Sequence, residues 1–133
     1  MTVPNEGETL ILNMVLARVL TDRDATLECG LYTNSGLTLE TATESALTEP
    51  SGGGYARIDL TDGSWSISGD EGTYSAVDFT ASSTDMTGIY GAFICTKSSG
   101  GTARLISIIA HPDAPVTVPV GQTLRVDLTA TAA

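Results

Sequence analysis

A two-residue alternation runs through residues 88–129 and commits the chain to strands, because side chains repeat every second residue only in extended backbone. In GIYGAFICTK, Ile89, Phe93 and Cys95 share one parity, and Tyr90, Ala92 and Ile94 share the other. After an SSGG break, Ile106, Ile108 and Ala110 oppose Leu105 and Ile109. After a proline-flanked step, Leu124, Val126 and Leu128 alternate with Arg125, Asp127 and Thr129. The breaks are short, so neighbouring runs are expected to pair as antiparallel hairpins. The first two runs are apolar on both parities, which predicts cover on both faces. The last has one polar face, which predicts contact with water or a partner.

Upstream, the same reading gives more short strands. Leu27, Cys29 and Leu31 alternate with Glu28, Gly30 and Tyr32, which predicts a strand over residues 26–32. Residues 37–49 are acidic and weakly patterned, and read as a long surface loop with an edge strand or a helical turn. The PSGGG stretch at 50–54 is the loosest point of the chain. A strand over 55–60 is expected with Ala56, Ile58 and Leu60 inward and Tyr55, Arg57 and Asp59 outward. Thr61, Asp62 and Gly63 read as a tight turn. Residues 64–68 form the next strand, carrying Trp65 and Ile67. A turn at 69–72 leads to a strand over 73–81 with Val77 and Phe79 in the core, and 82–87 reads as polar. At the N-terminus, residues 1–7 read as an extended arm. Residues 8–19 (ETLILNMVLARV) read as a short buried helix, with a strand as the alternative because the run is apolar all round. The predicted fold is all-β: a jelly-roll-like antiparallel β-sandwich of about eight strands with one short N-terminal helix, in a single domain over 1–133.

Charge narrows the function. Six basic residues stand against sixteen acidic ones, a net charge of −10. Nucleic acid is bound through clustered Lys and Arg, so neither nucleic acid nor an anionic membrane surface is an expected partner. The apolar run over 10–16 is shorter than the ~20 residues of a membrane span and contains Asn13. No basic residue precedes it, so no secretory signal is read, and the protein is expected to be made in a cytoplasm without an export route of its own. Cys29 and Cys95 are the only cysteines, both mid-strand on apolar-looking parities. Buried free thiols are the favoured reading, and a Cys29–Cys95 disulfide would require neighbouring strands with close Cα atoms.

Signs of chemistry are sparse. His111, in His111-Pro112-Asp113, is the single histidine, whereas zinc sites need several ligands together, so it reads as a structural residue at a strand end. Asp59, Asp62, Asp70 and Glu71 lack the regular loop spacing of a calcium site and read as surface-turn acids. There is no G-x-S-x-G elbow. No enzyme, metal or cofactor is expected. The polar-tipped aromatics Tyr32, Tyr55, Trp65, Tyr74 and Tyr90 suit either an interface or the capped ends of a sandwich.

Five blocks in order carry a resemblance: VPNEGETLILNMVL (3–16), CGLYTN (29–34), GYARIDL with Trp65 (54–65), GIYGAFI (88–94) and P-x-x-V-P-V-G-Q-T-L-R-V (115–126). Together they resemble the small virion structural proteins of tailed phages, cyanophages included, that serve as capsid cement or decoration or as head knobs. The resemblance covers nearly the whole chain. It implies a jelly-roll-like sandwich on the capsid exterior, partnered by the major capsid protein shell and by copies of itself, with a trimer as the first expectation. Some relatives belong to tails or fibres, which implies a glycan- or receptor-binding alternative. The implied contacts are the leading arm (Val3, Pro4), the apolar run (Leu10, Met14) and the aromatics Tyr32, Tyr55, Trp65 and Tyr90.

Overall fold

The computed structural model describes residues 27–61, 64–97 and 103–131. The arm, the helix expected over 8–19 and the turn residues Asp62 and Gly63 lie outside them. Within the described residues the chain is all-β, with nine strands and two single-turn 3-10 helices. β1 (Leu27–Tyr32), β2 (Ile58–Leu60), β6 (Gly91–Thr96) and β7 (Leu105–Ala110) form a four-stranded antiparallel sheet in the order β2-β1-β6-β7. β3 (Trp65–Ser68), β4 (Glu71–Thr80) and β9 (Thr123–Thr131) form a second antiparallel sheet in the order β3-β4-β9. β5 (Met86–Ile89) pairs with β8 (Val116–Val118).

One apolar core joins all three sheets. Leu27, Cys29, Leu31, Leu60, Ala92 and Ile94 come from the first, Val77, Phe79 and Leu128 from the second, and Met86, Ile89 and Val118 from the third. Loss of this area from water is the main force holding the sheets together. A second cluster lies on the opposite face of the four-stranded sheet. There Tyr32, Phe93 and Cys95 are covered by Leu37, Leu39 and Leu47, which come from the 33–54 connection. β6 is therefore buried on both faces, as its unbroken apolar sequence requires.

The 33–54 connection is a tied-down loop rather than a strand. Its two helical turns are Leu39–Thr41 and Glu44–Ala46. Asn34 draws its ends together: the side-chain amide donates to the Ala46 carbonyl at 3.0 Å, and the amide of Thr48 donates to Asn34 Oδ1 at 2.6 Å. Gly53 and Gly54 take φ of 72° and 70°, a left-handed region where a side chain would be strained.

Six sequence expectations are corrected. The strand expected over 55–60 begins only at Ile58, because the Tyr55 amide bonds back to the Gly52 carbonyl and holds a turn there. Its inward and outward residues also differ: Ala56 is exposed, whereas Tyr55 and Arg57 are half-buried. The GIYGAFICTK run is two strands in different sheets, broken at Tyr90, whose amide bonds the Tyr32 carbonyl and whose carbonyl accepts from His111. Residues 82–87 are not wholly a polar link, since Met86 is buried and opens β5. Finally, β7 is uncovered: Ile106 is 45% and Ile109 63% exposed. The C-terminal run does not pair beside β7 but joins β4, with Val126 opposite Val77 and Leu124 opposite Phe79.

Cys29 and Cys95 are both buried and free. Cys29 is paired with Ile94 and Cys95 with Glu28, so neighbouring strands place the two thiols on opposite faces of the sheet. Burial first, then proximity to Cys95, pushes the Cys29 thiol up to about 12. Burial likewise raises Cys95 to about 11. Since the thiolate is the reactive species, native protein at pH 8 is expected to react with a thiol reagent at least about a hundredfold more slowly than the same protein in denaturant. Rapid labelling of the native chain would refute the burial of both.

Candidate functional site

The most heavily bonded group of the described residues is Arg57, on the outer face of the four-stranded sheet. It follows the Gly53-Gly54 turn and precedes β2, so its side chain runs back beneath the 33–54 loop. The guanidinium donates to Glu44 Oε1 at 2.7 Å and, through Nε, to both Glu49 oxygens at 3.0 and 3.1 Å. Nη1 reaches Cys95 Sγ at 3.2 Å and lies 3.5 Å from Glu28 Oε2. The group also sits 5.1 Å above the Phe93 ring, a cation–π distance. Three carboxylates from separate segments thus converge on one cation, fixing the loop to β1 and β6. Planar, forked and permanently charged, Arg suits such a hub where Lys does not.

The electrostatics of this cluster are those of a fixed charge. Hydrogen bonds donated to Glu49 above all raise the guanidinium pKa, against a smaller opposing effect of burial. For Glu49, burial pushes the carboxyl up, but hydrogen bonds from Arg57 and Tyr55 outweigh it and bring it below its ordinary value. The Tyr55 hydroxyl donates to Glu49 Oε2 at 2.6 Å and accepts from the Leu31 amide at 2.9 Å. Burial and Glu49 raise its pKa. So held, the ionised Glu49 and the protonated Tyr55 hydroxyl tie the loop to β1. Lys97 bonds Asp59 at 2.9 Å, and Arg125 bonds Asp78 at 2.8 Å, so these cations are also spent on neighbouring acids.

A second feature is the flank between β7 and β9. Ile109 is paired with Ala92 and shares its inner face, yet it stands largely open to water. Two adjacent apolar grooves of about 110 and 170 Å³ lie along this flank, sharing Ala92, Ile109 and Asp127, the first also lined by Leu27, Trp65, Ile106 and Leu128, the second by Leu124 and Val126. A third feature is the tip between β8 and β9. Val120 is 50% exposed, and its amide donates to Asp85 Oδ1 at 2.9 Å. The next amide, of Gly121, bonds the Ala81 carbonyl at 2.7 Å, so an apolar tip is held rigidly.

The residues singled out in the sequence do not gather at one place. Val3, Pro4, Leu10 and Met14 lie outside the described residues. Tyr32 is buried in the outer cluster, with Tyr90 packed against it half-buried. Tyr55 lies 6.0 Å from Phe79 in the shared core. Trp65 meets Tyr74 edge-on at 5.0 Å, and the Tyr74 hydroxyl accepts from the Thr61 amide. His111 Nδ1 accepts from the Asp113 amide at 3.1 Å, closing the turn after β7. Asp59 is in the four-stranded sheet and Glu71 in the other, with Asp70 at the β3–β4 turn, and Asp62 is outside the described residues. Among the described residues, no three His, Cys, Asp or Glu side chains are placed to hold a metal ion.

Two features escaped sequence reasoning. Glu28, Glu44, Glu49 and Arg57 show no motif spacing, and only a loop folding back over a sheet brings them together. Val120 carried a weak signal, an apolar residue inside a Pro-Val-Gly-Gln turn. The class that fold and site define is an all-β protein of antiparallel sheets, sandwich-like around one core and braced by a charged hub. No family model matches the chain, and no curated protein or solved structure is significantly similar to it.

Proposed function

We propose that this chain is a non-enzymatic virion structural protein that decorates the exterior of a phage capsid and stabilises the shell. The observation that carries the reading is the placement of the resembling blocks. Four of the five, at 29–34, 54–65, 88–94 and 115–126, run along strands or strand junctions of the all-β body. Supporting it, the chain carries a net charge of −10, and its Arg57, Lys97 and Arg125 are paired to neighbouring acids, which suits it to standing beside, and not adhering to, packaged nucleic acid. The finer architecture belongs to the same reading: a jelly roll of about eight strands in one domain, a helix over 8–19, and a homo-oligomer, first of all a trimer, on the major capsid protein shell. The location is the capsid surface, after synthesis in the host cytoplasm.

A tail or fibre part that binds a glycan would present an exposed aromatic groove. Tyr32, Tyr55, Trp65 and Tyr90 lie buried or half-buried, so the capsid reading is preferred. The test is to add purified protein to shells that lack it. Binding, with a gain in resistance to heat or chelator, is the expected result, because a ligand of the assembled state stabilises that state. No binding would refute the proposal.

The Val120 tip supplies a variant. A rigid apolar contact loses little entropy on docking, and a charge there meets desolvation instead. Val120→Asp is expected to weaken shell binding by about tenfold or more, with an unchanged melting temperature because the side chain is half in water already. Equal shell affinity for the variant would remove this tip from the interface.

A further inference from the structure

We propose that residues 33–48 form a strap that opens as one unit and uncovers the outer face of β6 while the sandwich beneath stays folded. The hydrogen bonding of this stretch is self-contained. The Thr33 amide donates to the Thr48 carbonyl at 2.7 Å, and Asn34 bonds Ala46 and Thr48 across the same base. Its two helical turns are closed by their own backbone groups. Among the described residues, no backbone hydrogen bond joins residues 34–48 to a strand of any sheet. A loop closed at its base and bonded to itself can move without breaking up.

Only side chains hold the strap down. Leu37, Leu39 and Leu47 are partly buried against Tyr32, Phe93 and Cys95. Glu44 reaches Arg57 at 2.7 Å, and among the described residues it is the one ion pair that residues 33–48 contribute. No residue from 33 to 49 is buried, whereas β1 and β6 beneath are buried along most of their length. Just past the strap the chain is fastened again. The Gly53 amide donates to Thr84 Oγ1 at 2.8 Å, and the Gly53 carbonyl accepts from the Ser82 amide at 2.9 Å. Opening therefore gives up one ion pair and the cover of three leucines, and none of the sheet's hydrogen bonds. Segments so lightly held open at far lower cost than the whole fold. The two thiols lie on opposite faces of the sheet, Cys95 in the cluster under the strap and Cys29 in the shared core. Strap opening exposes Cys95 alone, and Cys29 waits for global unfolding. This inference does not rest on the capsid reading.

Thiol labelling of native full-length protein in low urea tests this, with mass spectrometry reading each cysteine and the denatured chain as the reference rate. Cys95 is expected to label at least about tenfold faster than Cys29, with little dependence on urea, because strap opening exposes little surface. Cys29 should follow the steep urea dependence of unfolding, and both should stay at least about a hundredfold below the denatured rate. Val77→Ala, in the other sheet, should speed Cys29 about tenfold and leave Cys95 unchanged. Glu44→Gln should speed Cys95 about fivefold. Equal rates and equal urea dependence at the two thiols would overturn the inference, by leaving global unfolding as the sole route. A Cys95 rate indifferent to Glu44→Gln would overturn it too, by assigning the exposure to movement of β7.

Discussion

Arg57→Met is expected to lower stability by about 2–3 kcal/mol, a fall of roughly 10 °C in melting temperature for a chain of this size. The substitution keeps much of the side chain's volume over Phe93 and removes the charge. Glu44 and Glu49 are then left without a cation and Glu28 keeps only Lys97 at 3.8 Å, with side chains only 17%, 26% and 14% exposed. Removing one partner of a buried ion pair costs more than the pair ever contributed, because the remaining charge stays desolvated. The partial exposure of the cluster holds the figure below the upper end of what fully buried pairs show. Unfolding in urea measures it, and a loss under about half a kcal/mol would mean the cluster is solvated.

Acid makes the test sharper, because the variant should lose part of the acid sensitivity that the wild type shows. In the wild type, Glu49 is held below its ordinary value in the folded state. The unfolded chain therefore takes up its proton first. This contribution is complete above the ordinary carboxylate range and is lost as pH falls through that range to the depressed folded value. In Arg57→Met, Glu49 loses the hydrogen bonds and charge of Arg57 while burial still pushes its carboxyl up, so its depression below the ordinary value is relieved. The stability that this group loses on acidification shrinks accordingly. Denaturation measured at several pH values between 7 and 4 reads the difference in slope. Parallel curves for the two proteins would show that Arg57 is not the hub.

Gly91→Ala is expected to cost about 3 kcal/mol or more, from a single added methyl. A Cβ at this position would run into the Ile109 carbonyl and approach Tyr32 Cε1 at 2.8 Å and Ala110 Cα at 2.9 Å. Two of those obstacles are backbone of β7, which cannot turn aside as a long side chain can. β7 would have to shift away from β6, and among the described residues no strand pairs with its other edge. Hydrogen exchange is expected to show protection lost along Leu105–Ala110 before any loss along β1. A variant with unchanged melting temperature and unchanged exchange at β7 would contradict the close approach of these strands.

Strands whose one face meets water are legible in the sequence. β9 and the second half of β4 alternate, and Val77, Phe79 and Leu128 fall where that alternation predicts. Strand pairing is not legible from alternation. The C-terminal run could equally continue the hairpin series after β7, and only the core shared by Val77, Phe79, Leu124 and Val126 sends it to β4. Runs apolar on both parities carry still less information. GAFICT and LISIIA look alike in sequence, yet β6 lies centrally beneath a loop while β7 lies at an edge. The Arg57 cluster was invisible for a related reason. Arg57 sits on the parity that alternation assigns to solvent, and its burial depends on where a loop of more than ten residues comes to rest.

What the sequence determined by itself is local: an all-β chain, the positions of most turns, two cysteines on apolar parities and a strongly acidic balance. Period, turn chemistry and charge are properties of neighbouring residues, so no other part of the chain need be known to read them. The tertiary structure alone decided which strands share a sheet, that β7 stands open along its flank, and that three glutamates converge on one arginine. Those outcomes depend on contacts between segments far apart in the chain, and a residue carries no mark of the distant partner that will cover it.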